Sequence, residues 1–191
     1  MTAMRRLLPL TVLLAAAIAA AAVFAATAAA DVDPSNFVRK VDNPWYPLQP
    51  GTTYVFRGVE DGKPMRDVVA VTTRRKKILG VSCIVVRDIV YVDGRPTEVT
   101  SDWFAQDRKG NVWYFGEHTV EYVHGHPSDA GSWQAGVHGA MPGVALPAKP
   151  KVGLSYREEY SKGVAEDQSR VLALDEQAQV PAGHFKPALM T

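Results

Sequence analysis

Short runs of β-branched and aromatic residues, cut at intervals by pairs such as Asp-Gly, constrain this chain more than any other feature of its sequence. Run 52–60 ends at Asp61-Gly62, run 66–78 near Leu79-Gly80, run 81–92 at Asp93-Gly94 and run 97–106 at Asp107-Arg108-Lys109-Gly110. Asp and Gly tolerate the positive φ angles that the tightest hairpin turns demand, so an Asp-Gly pair between apolar runs marks a hairpin. Consecutive runs are therefore expected to pair as antiparallel neighbours. Runs 111–116 and 119–123 follow, then a Gly/Pro-rich stretch, 125–153, expected to hold one short strand at 132–137. Runs 154–160 and 165–174 and a final one beginning at Phe185 complete the pattern. No stretch of residues 31–191 repeats its apolar positions with a helical period.

Parity within 81–92 adds a second constraint. Val81, Cys83, Val85, Ile89 and Tyr91 form one set, and Ile84, Val86, Val90 and Val92 form the other, so both faces of this strand are apolar. Such a strand is covered on both sides. With no helix to supply the cover, the sheet must curl on itself, or the Pro-rich segment 31–51 (Asn43-Pro44-Trp45-Tyr46-Pro47, Gln49-Pro50-Gly51) must strap across it. The expected fold is all-β: a curved antiparallel meander, a half-barrel or open barrel, over residues 52–191 with a strap over 31–51.

The first 30 residues are of another kind. A basic head, Arg5 and Arg6, precedes an uncharged Leu- and Ala-rich stretch that closes on Ala28-Ala29-Ala30 before Asp31. That is the layout of a secretory signal peptide. The Leu cluster is confined to residues 7–14, which favours a cleaved signal over a membrane span. No Cys lies near the cut to carry a lipid, so the expected product is a secreted or periplasmic protein without a stable membrane anchor. Removing Arg5 and Arg6 leaves 19 basic against 20 acidic residues, a balance that argues against an electrostatic footprint for nucleic acid or anionic lipid. Cys83 is the single cysteine, so no intramolecular disulfide can form. Its apolar neighbours predict a buried, inert thiol. A domain of about 160 residues needs no such staple, because it buries most of its apolar surface on folding.

Several longer blocks carry a resemblance. Asn43-Pro44-Trp45-Tyr46-Pro47-Leu48 with Pro50-Gly51-Thr52, Gly80-Val81-Ser82-Cys83, Asp102-Trp103-Phe104-Ala105-Gln106-Asp107, Gly110-Asn111-Val112-Trp113-Tyr114-Phe115-Gly116-Glu117, Gly131-Ser132-Trp133-Gln134-Ala135-Gly136 and Gly163-Val164-Ala165-Glu166-Asp167 are similar to those of a family of exported bacterial proteins of unknown function. The resemblance covers residues 43 to 190 and implies no activity. His124-Gly125-His126-Pro127 departs from the simple polar turn usual there. Proteins of that kind continue past the position of Thr191 with strand-forming sequence, which implies a truncated chain whose last strand lacks a partner.

Three kinds of side chain are candidates for chemistry. General acid–base work uses facing carboxylates with separated pKa values; Asp102, Asp107, Glu117, Glu166 and Asp167 are the candidates, although Glu166 and Asp167, being adjacent, point to opposite faces of a strand. Asp107 most simply starts a turn and Glu117 most simply ends a strand. His124 and His126 share parity and on one strand would lie about 7 Å apart, a workable metal chelate; Gly125 and Pro127 instead mark a solvated turn. No cofactor is called for. Trp103, Trp113 and Tyr114 are the candidate lining of an apolar ligand pocket, with Trp113 and Phe115 expected to face inward together. The basic run Arg74-Arg75-Lys76-Lys77 should split its charges between two faces, as edge protection or as a contact for anionic lipid or polysaccharide.

These features leave three functions in competition. The first is a non-enzymatic binding module for an apolar or lipid-like ligand, which requires a cavity lined by the aromatic residues. The second is a carboxylate-dependent hydrolase or isomerase, which requires two carboxylates converging in a cleft. The third is a surface interaction protein with no pocket.

Overall fold

The computed structural model describes residues 32–191. The expected signal segment lies outside the described residues. Those described form an all-β protein: a single 3₁₀ turn, Pro34–Asn36, is the only helical element among them.

The chain runs through β1 (Phe37–Val38), β2 (Thr53–Glu60), β3 (Lys63–Ile78), β4 (Val81–Val92), β5 (Arg95–Asp107), β6 (Val112–Val123), β7 (His126–Ser128), β8 (Trp133–Gln134), β9 (Met141–Leu146), β10 (Ser155–Arg157), β11 (Glu159–Tyr160), β12 (Gln168–Arg170), β13 (Ala173–Val180) and β14 (Gly183–Met190). The main sheet is a curled antiparallel half-barrel of order β11-β9-β6-β5-β4-β3-β2, with β1 on β5 and β7 and β8 on β6. β10 pairs β12, and β13 pairs β14, in two small separate sheets, so the last strand, expected to lack a partner, has one.

Turn chemistry accounts for the meander. Asp61-Gly62, Leu79-Gly80, Asp93-Gly94 and His124-Gly125 all have positive φ at both residues, between 48° and 83°. These are the angles of the two-residue hairpin whose twist matches that of its strands. Leu79 is the unexpected member, because a bulky side chain disfavours φ of 48°. It is held by neighbours: Pro34 of the strap lies against Gly80, and the Leu79 side chain lies against Gly136.

Both faces of β4 are covered over its first half, Val81–Val86, as parity requires, whereas Arg87–Val92 are only half-buried. Val81, Cys83 and Val85 pack with Trp103, Ala105, Phe115 and Trp133 on one face. Ile84 and Val86 pack with Val71, Phe104, Val112 and Leu146 on the other, where Val41 and Leu48 of the strap close the layer. Trp113 packs against the same cluster that holds Phe115.

The structure redraws the expected runs in four places. Runs 111–116 and 119–123 are one strand, β6, carried through Gly116 by a bulge. Stretch 125–153 holds β7, β8 and β9 in place of one strand, because the long free edge of β6 pairs with each in turn. Local composition does not announce a two-residue strand that exists only through its partner. Run 154–160 divides at Glu158 into β10 and β11. Run 165–174 divides at Val171, fully buried, whose amide donates to Leu154 O and whose carbonyl accepts from Gly153 N.

Candidate functional site

The candidate site grows out of the β6 bulge. Phe104 pairs with Tyr114 in register, but Asp102 pairs with Glu117, so one extra residue of β6 has been accommodated between the two pairs. An extra residue on one strand reverses the alternation beyond it. Tyr114 and Glu117, of opposite parity, thus reach the same face as Asp102 and Phe104. Gly116 makes this possible: its φ is +122°, and a Cβ there would collide with the carbonyl oxygen of Trp133. Glu117 therefore sits within β6, beside the bulge, and does not end a strand.

Carboxylates gather around this point. Tyr114 OH donates to Asp102 Oδ1 at 2.7 Å. Trp133 is the register partner of Glu117, and its Nε1 donates to Glu159 Oε2 at 3.0 Å. Burial pushes Asp102 up to about 6, against the lowering effect of the Tyr114 hydrogen bond. Burial, and then repulsion from Asp102 and Glu159, pushes Glu117 up to about 7. Glu159 rises to about 7 through burial and the proximity of Asp167. Further along the face, burial and the neighbouring Asp67 push Asp88 up to about 8. Neighbouring acids reinforce each of these rises, and the Arg87 cation opposes that of Asp102. Near neutral pH they exchange protons readily and would welcome positive charge.

Aromatic rings form a file across the same region. Tyr46 meets Phe104 edge-on at 5.6 Å between centroids, Phe104 stacks on Tyr114 at 4.7 Å, and Tyr114 meets Trp133 edge-on at 5.4 Å. Tyr46, Phe104, Tyr114 and Leu146, with Glu158 and Glu159 at the polar side, line an open cavity of about 370 Å³. The Tyr156 hydroxyl, also at this cavity, is buried without a hydrogen-bond partner. Glu158 Oε1 accepts from Ser169 Oγ.

The remaining sequence candidates lie elsewhere. Asp107 is a structural acceptor: Oδ1 takes the amides of Lys109 and Asn111, and Oδ2 takes Asn111 Nδ2 and Trp113 Nε1. Glu166 is exposed and holds a turn through Gly163 N, while Asp167 is exposed beside Glu159. Trp103 is buried in the opposite cluster under Lys76, whose Nζ lies 3.3 Å from the ring centroid. Trp113 is half-buried in that cluster, so of the three candidate lining residues Tyr114 alone borders the cavity. His124 occupies a turn at φ 51° while His126 begins β7, so the two do not project from one strand. Among the described residues no three His, Cys, Asp or Glu side chains converge as metal ligands. Burial pushes the Cys83 thiol up to about 12, outweighing Arg75 and Lys76 nearby.

Sequence reasoning missed Asp88, Glu158 and Glu159. Asp88 carried a signal, since with Arg87 it interrupts a largely apolar strand, where a charge is seldom placed without a reason. Glu158 and Glu159 carried none, because the pairing of β11 with β9 brings in Glu159 and, with it, the preceding Glu158. Comparison with protein-family models, characterised proteins and solved structures finds no match, so the functional reading rests on geometry.

Proposed function

We propose that this protein is an exported binding module whose ligand combines an apolar body with a positively charged group. The observation that carries the reading is the cavity in which Tyr46, Phe104 and Tyr114 form the wall and Glu158 and Glu159 supply the charge. Aromatic faces attract organic cations through their quadrupole, and a low-dielectric setting strengthens the attraction of carboxylates. The N-terminal signal pattern supports export.

Calorimetric titration with dodecyltrimethylammonium and with dodecanol tests the reading. The ammonium compound is expected to bind at least roughly tenfold more tightly, the equivalent of about 1.4 kcal/mol, and Phe104→Ala to weaken it. Equal affinity for the two compounds, or binding that ignores Phe104, would contradict it.

The register pairing of Asp102 with Glu117 supports a second reading, a carboxylate-dependent hydrolase or isomerase. That reading expects turnover of an activated ester or glycoside that Asp102→Asn abolishes while ammonium binding persists.

A further inference from the structure

A second cavity, of about 430 Å³, opens where the N-terminal strap passes the turn between β5 and β6. Arg39 and Lys40 of the strap and Arg108 and Lys109 of the turn all line it. These pairs are far apart in sequence, and β1 brings them together by pairing Phe37 with Asp107 and Val38 with Gln106. Arg75 adds to the cationic side, since its guanidinium donates to the Arg39 carbonyl at 2.7 Å and is pushed down by burial and by Arg39.

Two carboxylates also line the cavity, and both are engaged within the fold. Asp42 accepts from Gln106 Nε2 at 2.8 Å, and Asp107 accepts the four hydrogen bonds that close its turn. The walls are fixed as well. Gln106 Oε1 takes the amides of Asp42 and Asn43, and Arg108 is tied through its amide to Asn36 O and through Nε to Ser35 O. The result is a groove lined by four cationic side chains, with its two acids turned to structural use.

We propose that this groove binds a phosphate-bearing anion, gripped between the two Arg-Lys pairs. Arg donors match the oxygens of a phosphate in geometry, and Lys adds a mobile point charge. Four cations around one groove suit a group of at least two negative charges. The site is independent of the aromatic cavity and of its proposed ligand.

Inorganic pyrophosphate is the probe for the free anion, and vesicles containing phosphatidylglycerol are the probe for the same chemistry on a lipid headgroup. Arg39 and Lys109 are exposed, so Arg39→Gln with Lys109→Gln leaves the packed interior untouched. Wild-type protein at low ionic strength is expected to bind pyrophosphate, with affinity falling as salt rises and dropping roughly tenfold or more in the double variant, each lost contact being a charge-assisted hydrogen bond. Binding to the vesicles alone, lost in the double variant, assigns the groove to the headgroup. Binding to neither probe, or binding that the double variant retains in full while Lys149→Gln with Lys151→Gln reduces it, overturns the proposal.

Discussion

Trp103 and Trp113 belong to the same packed cluster and still differ in what their loss should cost. Trp103 is 6% exposed and lies beneath Lys76, whereas Trp113 is half-buried and anchored by its Nε1 bond to Asp107. Trp103→Ala is expected to cost about 3–5 kcal/mol, the usual loss for a buried large aromatic. Trp113→Ala is expected to cost roughly 2 kcal/mol, since part of its surface is already in water. Urea unfolding of both variants checks the order, and a larger loss at Trp113 would reverse the burial described here. The inward parity of Trp113 and Phe115 was legible because alternation within a strand is local. The shared face of Tyr114 and Glu117 was not, because it depends on a bulge at Gly116 that only the crowding by Trp133 explains.

At the scale of elements, the hairpins were written into the sequence and the short strands were not. Asp61-Gly62 and Asp93-Gly94 state their turn type in two residues, whereas β8 and β11 are two residues each and exist through β6 and β9. The edge strand β2 is a consequence of the meander: all of its residues are exposed, Val59 at 73% and Phe56 at 54%. An exposed apolar edge invites pairing with another chain, and a Lys there discourages it. Val59→Lys is therefore expected to raise the concentration at which the protein begins to aggregate, read by light scattering, with little change in its unfolding midpoint. The basic run shows the opposite arrangement, since Arg75 turns to the strap and Lys76 to Trp103, splitting the charges between faces as alternation dictates.

For the whole molecule, the carboxylate cluster should set the dependence of stability on pH. Asp88, Asp102, Glu117 and Glu159 have folded pKa values raised to about 8, 6, 7 and 7. An unfolded carboxyl titrates near about 4, so between that pH and about 8 the folded state holds more protons than the unfolded state. Stability then falls as pH rises through this window. The charged groups facing the cluster, Asp67, Glu98, Glu158 and Asp167 as acids with Arg87 as the cation, leave that sign unchanged. Thermal unfolding should give a higher midpoint at pH 5 than at pH 8, the reverse of a protein stabilised by paired carboxylates. No single segment reveals this property, because β3, β4, β5, β6 and β11 each contribute one or two acids, Glu158 and Asp167 come from between strands, and only folding gathers them.

A carboxyl ¹³C NMR titration of Asp102, Glu117 and Glu159, with and without saturating dodecyltrimethylammonium, tests the proposed cation site directly. That site requires midpoints near 6, 7 and 7 in the free protein, and a fall in all three, largest at Glu159, once the cation is bound. Midpoints in the ordinary carboxylate range near about 4, unmoved by the cation, would contradict it.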